Sequence, residues 1–252
     1  MLTQARDLRR RRAREEQGVF VIEGVRAVEE LVASPLVVRG ALVSPKLAST
    51  PRGVALRQKL VEHRIDITEV SDRDFASAAD TEAPQGVLAV AEIPTRTLPT
   101  PAPGSGFRAV VLDALQDPGN VGTIIRTAAA LGVHATIALP GTVDLWNVKV
   151  VRSAMGALFR HHALFAPTAD LVAWARLHDV AIWGADGGGV PLESARPAPA
   201  RLALVVGNEG AGLTAAVATA CARAIAIPIA AGVESLNVAV ATGILVHALR
   251  LE

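Results

Sequence analysis

The chain of 252 residues has no tyrosine, two methionines, one cysteine and only 3% aromatic residues. The lone Cys221 excludes an internal disulfide, and nothing points to an oxidising compartment. A small, buried apolar role suits it. The six histidines show no zinc-ligand spacing, so no metal is implied. His161 and His162 are adjacent and would face opposite sides of a strand. The amino terminus is charged and lacks the apolar stretch of a signal peptide. The apolar run at 236–249 is too short and too interrupted to span a bilayer, and reads as a helix buried in a core. These absences make a cytoplasmic location the expectation. Net charge is +1, so global charge says little about partners.

What is present is globular: 51% hydrophobic and 19% charged, enough for one large domain or two smaller ones. Arginine outnumbers lysine 22 to 3, a bias that genome composition can explain. Clustering is more informative. "RDLRRRRAR" at 6–14 holds six arginines and one aspartate. It reads either as a phosphate-neutralising run or as a solvated helix start balanced by Glu15 and Glu16.

Residues 19–93 alternate strand and helix: a strand, a turn at Gly24 and an amphipathic helix in 19–34, strands at 37–45, 66–71 and 85–93, a helix at 53–65. "PTRTLPTPAPGSG" (94–106), with four prolines and two glycines, reads as a linker. Beyond it lie short apolar runs at 109–115, 135–140, 162–167, 180–186, 202–207 and 222–229. Helical stretches separate them at 147–160, 170–178, 212–221 and 235–250. Continuous apolar strands with helices between them predict a parallel sheet covered on both faces.

Ligands of such sheets collect at loops leaving the carboxyl ends of strands, and three loops here stand out. "QDPGNVG" (116–122) offers Asn120 as an N-cap. On the helix that follows, Val121, Ile124, Ile125 and Ala128 form one apolar stripe, with Arg126 nearly opposite, either a surface charge or a site residue. "GNEGAGL" (207–213) has three glycines but neither the Walker nor the dinucleotide spacing, and Glu209 in its middle needs a partner. "IPIAAGVESLNVAVATGIL" (227–245) places Ser235, a candidate N-cap, and Asn237 at the start of a helix apolar on nearly all sides.

Asn120–Arg126, "GNEGAGL" and "ESLNVAVATGI", in this order, resemble the SpoU (TrmH-like) family of RNA 2′-O-ribose methyltransferases in the SPOUT superfamily. Residues 1–93, including "FVIEGVRAVEEL", resemble the L30e-like substrate-binding domain often fused to it. The resemblance implies an L30e-like RNA-binding domain at 1–93, a linker at 94–106 and a SPOUT domain at 107–252. It implies an α/β fold with a deep trefoil knot, a feature no pattern in the sequence would suggest. It implies S-adenosylmethionine as cofactor, bound by Gly207, Ile227 and Leu236. It implies catalytic roles for Arg126, Asn120, Glu209, Ser235 and Asn237, RNA as partner and a homodimer through the carboxy-terminal domain. Family practice gives Arg126 a part in deprotonating the 2′-hydroxyl. A guanidinium is always protonated, so holding a phosphate and stabilising an alkoxide suits it better. Glu209 either positions Arg126 or binds substrate, and Ser235 and Asn237 either orient the ribose or brace the loops. The auxiliary domain favours ribosomal RNA, an antibiotic-resistance methylase being a narrower version of that reading. A tRNA ribose methyltransferase and a non-catalytic ribosome-assembly protein are the alternatives, the second disfavoured by the intact polar motif residues.

Overall fold

Two α/β units account for the structure, a computed structural model describing residues 1–251. The first holds Met1–Thr95 together with Trp146–Arg160, and the second holds Arg96–Leu145 and the chain from His161 onward.

The first unit opens with two short helices, α1 (Leu2–Asp7) and α2 (Arg11–Gln17). Then follow β1 (Val19–Glu23), α3 (Val25–Val32), β2 (Val38–Val43), α4 (Pro51–Glu62), β3 (Ile67–Glu69), α5 (Asp72–Ala78) and β4 (Val87–Glu92). The sheet order is β1-β4-β2-β3, antiparallel except for the β2–β3 pair. Val19, Val21, Leu88 and Val90 point one way, onto Ala5, Leu8 and Phe75.

That packing gives several arginines of the run partners within the fold. Arg6 donates to Ser77 Oγ (3.0 Å) and Arg9 to the Ala79 carbonyl. Arg14, 2% exposed, donates to the carbonyls of Leu8 (2.6 Å) and Arg9 (2.9 Å). Arg10, Arg11 and Arg12 pair on the surface with Asp7, Glu15 and Glu16, each at 2.7 Å. Half of the run is therefore fold chemistry, and the rest is already charge-balanced.

The second unit contains β5 (Phe107–Leu112), α6 (Pro118–Ala130) and β6 (Ala135–Ala138). Next in the chain comes α7 (Val148–Ser153), followed by β7 (Ala163–Phe165), α8 (Thr168–Leu177), β8 (Ala181–Pro191), β9 (Arg201–Val206), α9 (Ala215–Ala220), β10 (Arg223–Ala226) and α10 (Val238–Ala248). Its six strands run β10-β8-β9-β5-β6-β7, all parallel, as the continuous apolar runs predict. The stripe Val121, Ile124, Ile125 and Ala128 of α6 is buried against it.

Two readings need correction. Residues 146–160 fall within the predicted carboxy-terminal domain, yet they pack with the first unit. The second face of β1 is apolar too, and Phe20 buries itself against Trp146 (centroids 4.5 Å apart) and Phe159 (5.9 Å). The proline-rich segment, read as a linker, is held along the second unit. Trp174 Nε1 donates to Pro99 O (2.7 Å), Arg201 to Ala102 O (2.9 Å), and Leu98 packs on the second core. Extended proline-rich backbone leaves its carbonyls unpaired, and these side chains take them up. Among the described residues no helix is long and apolar enough to cross a membrane.

Candidate functional site

The strand order of the second unit reverses between β5 and β9. From β5 the chain steps to β6 and β7, then crosses to the other side as β8, inserts β9 between β8 and β5, and ends at the edge with β10. Loops leaving β5 and β9 meet at this reversal, the region where open parallel sheets hold ligands. Two of the three unusual loops, 116–122 and 207–213, follow these two strands.

Asp117, not Asn120, caps α6: its Oδ1 accepts from Asn120 N–H (2.7 Å), with Pro118 as the first helical residue. The Asn120 side chain is thereby free to reach out of the first turn. Asn237, not Ser235, caps α10, its Oδ1 accepting from Ala239 N–H (3.0 Å) and Val240 N–H (3.3 Å). With its oxygen committed, Asn237 can only donate outward, and Nδ2 donates to Asn120 Oδ1 (3.0 Å). Asn120 must in turn donate through Nδ2, and the acceptor is Glu209 Oε1. One cap thus sets the polarity of a chain of three side chains from three loops. Glu209 finds its partner in Asn120, not in Arg126.

Gly207 ends β9 where a side chain would not fit: a Cβ there would lie 2.4 Å from the Gly212 backbone. The 208–212 turn folds that closely because Asn208 Oδ1 accepts from Gly210 N–H (3.0 Å) and Ala211 N–H (3.2 Å), while Nδ2 donates to Ala114 O (3.2 Å). Beside this turn lies a cleft of about 260 Å³ at the carboxyl ends of β8, β9 and β10. Gly207, Glu209, Ile227, Ser235 and Leu236 all line it. Among the described residues the backbone groups of 227–229 and 234–236 take no backbone partner, so several N–H and C=O groups remain available to a heterocycle. Ile225, Ile227, Leu236 and Leu245 supply apolar wall, and Asp186, Glu209 and Glu234 supply carboxylates. Among the described residues no lysine, arginine or histidine lines the cleft. A ligand with a flat ring and a cationic centre fits this lining.

Arg126 stands apart. It is exposed on α6, outside the cleft lining, with neither an ion pair nor a hydrogen bond among the described residues. The helix predicted to be buried all round is buried on one side only: Val238, Thr242 and Leu245 pack inward, whereas Val240 and Ile244 are exposed.

Sequence reasoning missed four residues. Asp113, 1% exposed, ends β5 and accepts from Thr214 N–H (2.6 Å) and Oγ1 (3.2 Å), clasping the β5 loop to the start of α9. A carboxylate inside "VVLDAL" was the available signal. Asp117 before Pro118 was the capping signal. Asn208 and Asp186 were visible only as polar residues beside glycines. β8 carries Asp186 outward in a bulge: Ala224 pairs with Gly184, but the next residue, Ile225, pairs with Val190.

Residues 108–247 match the sequence profile of the SpoU rRNA methylase family, and residues 2–89 that of the MRM3-like substrate-binding domain. The chain belongs to the SpoU rRNA methylase family. Among its relatives, the 23S rRNA (guanosine(2553)-2′-O)-methyltransferase RlmP of Bacillus subtilis (strain 168) is 35% identical over 96% of this chain and 93% of its own length. The 23S rRNA (uridine(2479)-2′-O)-methyltransferase of Streptomyces viridochromogenes is 31% identical, over 95% and 85%. Among solved structures, the SpoU methyltransferase AviRb of Streptomyces viridochromogenes, in complex with AdoMet, superposes with a TM-score of 0.88 at 28% identity, covering 98% of this chain and 96% of that one. The SpoU match itself spans 108–247, and the similarity to these relatives extends over nearly the whole chain.

Proposed function

We propose that this SpoU-family enzyme transfers a methyl group from S-adenosylmethionine to a ribose 2′-hydroxyl of large-subunit ribosomal RNA. The relatives' activities support the reaction and the substrate class, and the AdoMet complex of a neighbour supports the cofactor. Within the chain, the observation that carries the reading is Asn120 joining Glu209 to Asn237 at the mouth of the cleft.

Gly207, Ile227 and Leu236 hold the cofactor, which supplies an electrophilic methyl group on a cationic sulfur. A 2′-hydroxyl is a poor nucleophile until it loses its proton. Asn120 holds Glu209 Oε1 and leaves Oε2 to accept that proton. Arg126 binds the neighbouring phosphate through its planar fork of donors and stabilises the developing alkoxide. Ser235 orients the ribose at the rim, and Asn237 keeps Asn120 in its orientation. The 207–213 and 227–237 loops form a trefoil knot around the cofactor, a reading supported by the cleft they share. Residues 1–93 form the RNA-gripping domain, 94–106 its connection and 107–252 the catalytic domain, with 146–160 lent to the first. Exposed Val240 (53%) and Ile244 (40%), one turn apart on α10, support a homodimer through this face. The enzyme works in the cytoplasm, where its substrate is assembled.

Ribose methylation mapped across total RNA from a deletion strain tests the proposal, alongside purified protein given unmodified 23S rRNA and labelled S-adenosylmethionine. One 23S ribose methyl should disappear in the strain and reappear in the tube. Loss of a tRNA ribose methyl instead would favour the tRNA reading, and methylation of a base would overturn the reaction.

A further inference from the structure

The charge of the cleft is out of keeping with that of the chain. The protein carries +1 overall, and arginine is its commonest charged residue. Yet, among the described residues, three carboxylates and no cationic side chain line the cleft. They come from three separate segments: Asp186 from the bulge of β8, Glu209 from the loop after β9 and Glu234 from the loop before α10. Asp186 Oδ1 accepts from Gly188 N–H (2.7 Å), which fixes the carboxylate within its own turn. Glu209 is fixed by Asn120. Among the described residues no group of side chains is placed to hold a metal ion, so these carboxylates are not a cation cage.

We infer that Asp186, Glu209 and Glu234 form an anionic collar that selects the cationic sulfonium cofactor over its uncharged thioether product. The inference rests on the cofactor reading above and deepens it. S-adenosylmethionine and S-adenosylhomocysteine share adenine, ribose and the amino-acid tail. Apolar walls and backbone groups meet both molecules almost alike. The two differ by one methyl group and one positive charge on sulfur, and only charged groups respond strongly to the second difference. Methyl transfer removes the charge, so the reaction itself weakens the collar's hold on what must leave. Asp186 and Glu234 take no part in proton transfer here. Their role is to set ligand preference.

Calorimetry on the full chain tests this with three probes: S-adenosylmethionine, S-adenosylhomocysteine and sinefungin, which carries an amine where the sulfonium would be. The wild type should bind both cationic ligands about three- to tenfold more tightly than S-adenosylhomocysteine, and the preference should shrink as salt rises. Asp186→Asn with Glu234→Gln should bring the three affinities together mainly by weakening the cationic pair. Both side chains are exposed, so an unchanged melting temperature should accompany the change. Wild-type binding of S-adenosylhomocysteine that equals or exceeds that of the cationic ligands overturns the collar. So does a preference that survives the double substitution, and so does sinefungin behaving like the thioether, which would assign the difference to the methyl group. Failure of all three compounds to bind overturns the cofactor reading itself, and the collar with it.

Discussion

Arg108 and Arg126 sit on consecutive elements, β5 and α6, and are used in opposite ways. Arg108 is half-buried and gives its donors to the carbonyls of Leu249, Pro199 (2.9 Å) and Ala200 (2.8 Å). Burial pushes its pKa down from the ordinary arginine value. It ties the end of α10 and the approach to β9 onto the edge of β5. Arg126 is exposed, and among the described residues its donors have no partner. A guanidinium has five N–H groups and no acceptor, so its partners report its employment. Where they are backbone carbonyls, the side chain belongs to the architecture. Where the fold supplies none, the donors remain available to a ligand. By this measure Arg9 and Arg14, within the amino-terminal run, are architectural, whereas Arg10, Arg11 and Arg12 remain on the surface in ion pairs.

The largest effect should come from Arg126→Ala, which should lower methyl transfer to rRNA about 100- to 1,000-fold, the scale for losing one preorganised stabiliser of developing charge. Melting temperature and S-adenosylmethionine affinity should not move. Loss of stability in this variant would erase the contrast with Arg108.

A second test uses Arg96, another arginine bound to backbone, here to His161 O (2.5 Å). Burial, then the Arg96 charge, then His162, pull the His161 pKa down from 6.5 to about 4, and Nε2 pairs with Thr136 Oγ1 (2.8 Å). The folded protein therefore keeps this ring neutral while the unfolded chain takes a proton near pH 6.5. Stability from this residue is complete above that pH and is lost as pH falls toward 4, by at most about 3 kcal/mol. Urea titrations at pH 7 and pH 4.5 should show the loss, and His161→Gln should shrink the difference between the two pH values.

Arg108→Ala should cost about 2 kcal/mol of unfolding free energy, through carbonyls left without their charged donor. Cofactor affinity should hold, because the cleft lies at the opposite ends of the strands. The smallest effect belongs to Asn120. A double-mutant cycle of Asn120→Ala and Glu209→Gln, read in the rate of methyl transfer, should give a coupling of about 1 kcal/mol. Strict additivity would mean that the hydrogen bond has no part in the reaction.

Much of the site was legible because its signals are local. Strand ends, glycines and polar residues at helix starts can be read within seven or eight residues. The capping assignments failed on competition between neighbours. Asn120 and Ser235 are both competent caps, but Pro118 puts the helix start after Asp117, and Asn237 lies two residues nearer the helix than Ser235. Asp186 escaped notice because "ADGGGV" reads as the end of a strand, and its place in the cleft depends on a bulge set by β10.

The sequence by itself determined the alternation of strand and helix, the buried parallel sheet, the three loops and the family, since each depends on residues near one another in the chain. Tertiary structure alone decided what pairs across distance. Asn120 meets Glu209 and Asn237 only because β5 and β9 are neighbours at the reversal of strand order. Residues 146–160 join the first unit only because Phe20 offers an apolar face that the local pattern around Trp146 cannot announce. Which arginines are spent on carbonyls follows from where other segments leave their carbonyls unpaired. That quantity belongs to the folded backbone and is written in no stretch of sequence.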